Sequence, residues 1–322
     1  MNLIPSRIIG TGHYNPPKVL DNSKLADTLG VTEDWIYSRT GIESRRIRHE
    51  SQNTSEMALY ASLNAIDEAN INPEEIDMII VCTLSPDKLC PATACILQNE
   101  LKAFNAACFD LEAACSGFVF GLTTAYQYIA TGMYKTILIV GADILSRFTD
   151  YDDKSTSILF GDGAGAVVLK AGEEKSFLSF NLGSDGSLKD MIYIPSSVID
   201  MSNEKPFLNL KGKEVFKWAV TNVPKIILET VKKAELDLND IDCFIIHQAN
   251  QRIINSISEK LNLPESKVLT NIEDVGNTSA ASIPILLSQA VKVGKIKKGH
   301  KVLLVGFGSG MSWGATIFEW KV

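Results

Sequence analysis

Two stretches decide the architecture: Ile76-Asp77-Met78-Ile79-Ile80-Val81-Cys82 and Ile241-Asp242-Cys243-Phe244-Ile245-Ile246-His247. Each is an Ile-Asp step followed by an apolar run, the pattern of a strand buried on both faces. They lie 165 residues apart, from 76 to 241. A second pair has the same spacing, from 141 to 306: Ile137-Leu138-Ile139-Val140-Gly141 and Val302-Leu303-Leu304-Val305-Gly306. Two matched pairs at one offset mark an internal duplication. A helical pattern precedes the first strand of each half, at Ser55 to Ala69 and at Val223 to Lys233. Glycine-marked turns precede the second, at Gly132 and at Gly294 and Gly299. Alternating strands and helices predict an α/β fold with a mainly parallel sheet in each half. The halves are read as 1–171 and 172–322. Between them, about Gly172 to Lys211 reads as strand mixed with excursion loops.

Composition narrows the function. The 322 residues are 45% hydrophobic and 21% charged, which is globular and not disordered. With 31 basic and 38 acidic residues the net charge is −7, which argues against nucleic acid or an anionic membrane as partner. No apolar run approaches the roughly 20 residues of a membrane span. The opening MNLIPSRIIG lacks the pattern of a secretory leader, so the chain reads as cytoplasmic. The six cysteines, Cys82, Cys90, Cys95, Cys108, Cys115 and Cys243, form no C-x-x-C and no zinc spacing with histidine. No metal is expected, and each cysteine taken alone reads as a small buried hydrophobe.

Three places carry candidate chemistry. Cys115, in Ala113-Ala114-Cys115-Ser116-Gly117, falls at a strand-to-helix turn, where a helix N-terminus lowers a thiol's pKa. It reads as a nucleophile or as a tight-packing residue beside glycine. His247 ends a buried strand before an amphipathic helix, whereas His13, His49 and His300 lie in polar, exposed-looking stretches. It reads as a catalytic imidazole or as a satisfied strand-end histidine. Asn277, in Gly276-Asn277-Thr278-Ser279-Ala280-Ala281, reads as a site residue or as turn chemistry. The offset makes this loop the duplicate of the Cys115 turn, and His247 the duplicate of Cys82. The clusters Gly161-Asp162-Gly163-Ala164-Gly165 and Gly306-Phe307-Gly308-Ser309-Gly310 do not fit G-x-G-x-x-G, so they do not signal a dinucleotide.

These motifs, in this order along the whole chain, resemble β-ketoacyl-acyl-carrier-protein synthase III of the thiolase superfamily. Asp34-Trp35-Ile36, Arg39-Thr40-Gly41-Ile42, Ala114-Cys115-Ser116-Gly117, His247-Gln248-Ala249-Asn250 and Phe307-Gly308 with Trp313-Gly314 all take part. The resemblance implies a duplicated five-layer α-β-α-β-α fold, a homodimer and no cofactor. It implies that Cys115 takes an acyl group from acyl-CoA. His247 and Asn277 would then stabilise the enolate formed when malonyl-acyl-carrier protein loses carbon dioxide. The N–H groups of Cys115 and Gly308 would form an oxyanion hole. It also implies CoA contacts at Trp35, Arg39, Lys154, Phe216, Asn250 and Arg252, and carrier-protein docking at Lys217, Arg252 and Lys260.

Three departures stand out. Cys90 replaces an aromatic that in well-known members reaches into the partner's acyl pocket, so a roomier pocket is expected. Lys154 replaces an arginine at the CoA phosphate site, keeping charge without the bidentate fork. Ser309 replaces a common glycine, with no consequence evident in sequence. Alternative readings are a related condensing enzyme of secondary metabolism, a Cys-His-Asn hydrolase, and a binder that has lost its chemistry.

Overall fold

The computed structural model describes residues 3–196 and 205–322. The first five long strands are β1 (Ser6–Tyr14), β2 (Met78–Cys82), β3 (Ala107–Leu111), β4 (Thr136–Ile144) and β5 (Asp162–Ala171). They form one sheet in the order β3-β2-β4-β5-β1. The next five are β6 (Phe177–Ser184), β7 (Cys243–Ile246), β8 (Val268–Leu269), β9 (Lys301–Gly308) and β10 (Ser312–Glu319). Their order is β8-β7-β9-β10-β6, the same topology again.

The duplication extends to register. Met78, Ile79, Ile80 and Val81 face Ile137, Leu138, Ile139 and Val140 across the β2–β4 ladder. Cys243, Phe244, Ile245 and Ile246 face Val302, Leu303, Leu304 and Val305 across β7–β9, each 165 positions later. In one respect the sheets differ from the sequence reading. Four strands in each run the same way, but β5 and β10 run antiparallel to both of their neighbours. The three-residue turn Ser309–Met311 joins β9 to β10, and so short a link permits only an antiparallel return.

The main helices are α1 (Asn22–Leu29), α2 (Glu33–Thr40), α3 (Thr54–Ala69), α4 (Thr93–Leu101), α5 (Gly117–Ala130), α6 (Gly212–Lys233), α7 (Gln251–Lys260) and α8 (Ser282–Lys292). Helix α6 starts well before the expected Val223, with Pro224 inside it. Its apolar stripe, Val215, Ala219, Val223, Ile226, Ile227 and Val231, continues through the proline and outweighs it. Of the excursion expected at about 172–211, residues 197–204 lie outside the described residues.

Three apolar clusters order the layers. α3 and α4 pack on one face of the first sheet, through Met57, Ala61, Leu97, Ile79 and Val140. α5 and α8 lie between the sheets, with Phe118, Leu122, Ile283 and Leu287 touching residues of both. α6 and α7 cover the far face of the second sheet, through Ile227, Ile254, Ile257 and Phe244. The result is α-β-α-β-α. Burying the central strands on both faces explains their unbroken aliphatic runs. The strand ends at Cys82 and Ile246, and the helix starts at Gly117 and Ser282, then meet near the middle layer.

Candidate active site

Between β3 and α5 the segment Ala114–Ser116 forms a single 3₁₀ turn carrying Cys115. Ala114 has φ of 46°, a left-handed conformation that strains a residue with a Cβ. The same strain recurs 165 residues later at Ser279, φ 52°, opening the 3₁₀ turn Ser279–Ala281 before α8. Ala280 therefore stands where the repeat would put a second Cys115. The Ser116 and Ser312 hydroxyls are hydrogen-bonded at 2.8 Å, tying the cysteine turn to the start of β10. Gly308 lies against it from β9. A Cβ there would stand 2.6 Å from the Cys115 nitrogen, so only glycine allows the approach.

Cys115 is enclosed but keeps some accessible surface. Burial pushes its thiol up to about 12, and the carboxylates of Asp143 and Glu112 push the same way. The Ser279 hydroxyl and the cysteine's own N–H pull it down without offsetting this. The lowered pKa expected from the helix N-terminus is thus not the resting state. Desolvation outweighs it and favours the thiol over the thiolate.

His247 follows β7 and is 1% exposed. Its Nδ1 is 2.7 Å from Ser282 Oγ at the start of α8, and its ring meets Phe307 edge-on at 5.4 Å. Burial lowers its pKa to about 3, so the imidazole is neutral at physiological pH. Asn277 is 6% exposed. Its backbone is fastened to the first half by Asn277 N to Leu159 O and Gly161 N to Asn277 O, both 2.9 Å. A Cβ on Gly161 would meet Val275 O at 2.3 Å, so that glycine cluster serves close packing. Asn277 Oδ1 accepts from Ser279 N at 2.9 Å, which leaves the amide nitrogen free to donate. Neither His247 Nε2 nor Asn277 Nδ2 has a partner among the described residues, yet neither is sealed from solvent. The loop of Asn277 packs on the Cys115 turn, where a Cβ on Gly117 would stand 3.6 Å from the Ala280 Cβ. His247 is linked to that turn through Phe307, which it meets edge-on and which precedes the Gly308 packed against Cys115.

Sequence reasoning missed Asp143. This fully buried carboxylate lies near the end of β4 and binds the loop after β2 to the 279–281 turn that follows Asn277. Its Oδ1 accepts from Thr83 Oγ1, Leu84 N and Ser85 Oγ at 3.0, 2.9 and 2.8 Å, and its Oδ2 accepts from Ala280 N at 3.2 Å. Burial pushes it up to about 6 despite those bonds. The available signal was a lone acid in Thr136–Ile144, a strand whose nine residues are all buried.

Asp143 and His247 act on stability in opposite senses. The folded state holds the Asp143 proton more tightly than the unfolded one, so that group's contribution falls as pH rises from about 3.8 to about 6. His247 is harder to protonate when folded, so its contribution, complete above about 6.5, falls as pH drops toward 3. In Asp143→Asn only the second remains. Urea titrations at pH 6.5 and pH 4.5 are therefore expected to show a larger acid loss in the variant than in the wild type. Equal losses would mean that Asp143 does not carry the raised pKa.

Comparison with known proteins bears on this geometry. The family model for 3-oxoacyl-[acyl-carrier-protein] synthase III matches residues 109–186, and that for its C-terminal part matches 231–320. A curated β-ketoacyl-[acyl-carrier-protein] synthase III of Clostridioides difficile is 46% identical over 322 residues, covering 98% of each chain. This chain belongs to the synthase III family. It is a condensing acyltransferase of fatty-acid synthesis with a thiolase-like fold. The crystal structure of the Aquifex aeolicus 3-oxoacyl-[acyl-carrier-protein] synthase III matches with a TM-score of 0.93 at 43% identity, covering 98% of this chain and 100% of that one. The priming β-ketosynthase of the R1128 polyketide pathway matches at 0.95 with 35% identity, covering 99% and 97%.

The remaining synthase III positions divide between clustered and separate. Arg39 lies 4.1 Å over the Trp35 ring. Asn250 Nδ2 donates to Arg39 O at 3.0 Å, and Asn250 caps α7 by accepting from Arg252 N at 2.8 Å. Arg252 in turn lies 5.8 Å over the Phe216 ring. These five form one rim joining α2, α6 and α7. Lys154 is exposed on a different loop, with no hydrogen bond or ion pair among the described residues. Lys217 and Lys260 are exposed on α6 and α7, and Lys260 Nζ donates to Val220 O at 3.2 Å.

Three sequence expectations need correcting. Cys95 is exposed and Cys108 only half-buried, because β3 is an edge strand and α4 lies beside that edge. His13 is half-buried within β1, its Nδ1 2.9 Å from Ser288 Oγ, because the Gly-rich run Ile9 to His13 disguised a strand. Ser309 does have a structural consequence. Its hydroxyl donates to Ile192 O, linking the loop after Gly308 to the excursion. Cys90 is exposed beside Leu89, itself 75% exposed. Among the described residues no helix is long and apolar enough to cross a membrane.

Proposed function

We propose that this synthase III joins an acyl-CoA primer to malonyl-acyl-carrier protein, giving 3-oxoacyl-acyl-carrier protein, CoA and carbon dioxide. One observation carries the assignment of roles. A neutral imidazole against Phe307, next to Gly308, and an amide on the loop packed against the Cys115 turn each keep one nitrogen without a partner among the described residues. Cys115 Sγ attacks the primer thioester; the S–CoA bond breaks, and the thiol proton leaves with CoA as its thiol. Malonyl thioester then loses carbon dioxide, and the electron pair passes to the thioester oxygen. His247 Nε2–H and Asn277 Nδ2–H donate to that oxyanion. Such a step needs donors more than a base, which suits a histidine whose pKa is too low for cationic catalysis. The carbanion attacks the acyl-Cys115 carbonyl, whose oxyanion the Cys115 and Gly308 N–H groups stabilise. The cysteine sulfur leaves and takes up a proton, the state that burial favours. CoA thioester is a substrate, and no cofactor takes part.

The rim of Trp35, Arg39, Phe216, Asn250 and Arg252 would hold CoA, with Lys154 reaching its phosphates. Lys217, Arg252 and Lys260 would steer the acidic carrier protein. The halves 1–171 and 172–322 would act as one unit, the first giving Cys115 and the second His247 and Asn277. The exposed edge at β3, with Leu89 and Cys90 beside it, favours a homodimer, and the enzyme would work in the cytoplasm. Cys90 would then line the partner's acyl pocket and leave room for branched or longer primers. A panel of acyl-CoA primers with malonyl-acyl-carrier protein, read by carbon dioxide release and product mass, tests the whole reading. Branched and longer primers are expected to match or exceed acetyl-CoA in kcat/KM, and Cys90→Phe to shift the preference toward acetyl. A strict acetyl preference in the wild type would overturn the pocket assignment. The likeness to the R1128 priming ketosynthase keeps a role in secondary metabolism as the second reading, and the same product masses separate the two.

A further inference from the structure

The repeat places His247 where the first half has Cys82, and Ser282 where it has Gly117. In the first half that pair is plain packing. Cys82 is fully buried, and a Cβ on Gly117 would rest 3.5 Å from the Cys82 Cβ, ordinary contact. In the second half the same two positions hold a polar pair, His247 Nδ1 to Ser282 Oγ at 2.7 Å. Both members are 1% exposed.

Hydrogen-bond accounting selects one direction for that bond. Ser282 Oγ has no other partner among the described residues. If Nδ1–H donated to Ser282, the serine proton would be buried with no acceptor, at a cost of about 1–3 kcal/mol. If Ser282 donates to Nδ1, no proton is orphaned and the ring proton sits on Nε2. Nε2 is the nitrogen left without a partner among the described residues and not sealed from solvent. Burial excludes the doubly protonated ring, so the neutral tautomer decides whether that face donates or accepts.

We propose that Ser282 is a positioning residue that holds His247 as the Nε2–H tautomer, making it a donor to the enolate oxygen. The proposal rests on the role given to His247 above. It also explains how an imidazole can serve there without ever being charged.

The test uses the full-length protein labelled with ¹⁵N-histidine. Long-range ¹H–¹⁵N spectra at neutral pH report the tautomer, with the His247 signals identified by their loss in His247→Ala. The wild type is expected to show protonated Nε2 and unprotonated Nδ1. Ser282→Ala is expected to show a mixture of tautomers, and Ser282→Thr, which keeps the hydroxyl, to restore the Nε2–H form. Because the altered ring still visits the useful tautomer, malonyl decarboxylation by Ser282→Ala should fall only about tenfold, less than the 10²–10³ of losing a donor outright. Acylation of Cys115 by acyl-CoA should stay within about twofold, since His247 is not needed for it. Protonated Nδ1 in the wild type would overturn the proposal, and so would equal losses of acylation and decarboxylation in Ser282→Ala. A wild type that never decarboxylates malonyl thioester would instead defeat the functional reading, while the tautomer remained readable.

Discussion

Cys115→Ala is expected to end acyl transfer. After incubation with acyl-CoA, the intact mass of the wild type should rise by one acyl group, and that of the variant should not change. The condensation rate should fall by at least about 10⁴, because removing a covalent nucleophile leaves only binding and oxyanion donors behind. Alanine keeps the Cβ and the backbone of the turn that Gly308 packs against, so the melting temperature should hardly move. No other cysteine is placed to take over. Cys82 is fully buried with its thiol pushed far up by desolvation, and Cys90 and Cys95 are exposed, away from the Gly308 contact. The oxyanion donors proposed on His247 and Asn277 would be independent of the sulfur, so slow malonyl decarboxylation should survive. An acyl adduct that persists in the variant would move the nucleophile elsewhere and undo the mechanism.

What could be read from sequence followed from burial and repetition. Strands sealed on both faces must be aliphatic, so β2, β4, β7 and β9 were visible, and their common offset disclosed the duplication. That offset also brought Cys115, His247 and Asn277 to equivalent ends before any coordinates were needed. Direction was not visible. A strand sealed on both faces reads the same whichever way it runs, so antiparallel β5 and β10 were hidden. Edge position is likewise a property of the assembled sheet, which is why the sequence pattern alone does not separate Cys95 and Cys108 from core cysteines. Ser279, Ser282 and Asp143 escaped for a different reason. Their residue types are ordinary, and their meaning comes from partners far along the chain: Asp143 with Ala280 across 137 positions, His247 with Ser282 across 35. The repeat held a clue that residue type did not, since the left-handed Ala114 and Ser279 occupy equivalent positions.

His247→Ala and Asn277→Ala are each expected to slow malonyl decarboxylation by about 10²–10³ while Cys115 still becomes acylated by acyl-CoA. The separation follows from where the charge develops. On the proposed roles, acylation would build its oxyanion beside the Cys115 and Gly308 backbone, whereas decarboxylation would build one at the unbonded nitrogens of His247 and Asn277. The pH profile carries independent information. A histidine acting as a cation or a general base would give a limb near its ordinary pKa of 6.5. Burial holds this one near 3, so decarboxylation by the wild type should show no limb from His247 between pH 8 and pH 5. The double variant should lose less than the product of the single losses, because both donors serve one oxygen and act as a unit. Loss of self-acylation with untouched decarboxylation in both single variants would reverse the roles. A limb near 6.5 that vanished in His247→Ala would show the imidazole titrating, and its part would then be proton transfer in place of donation by a neutral ring.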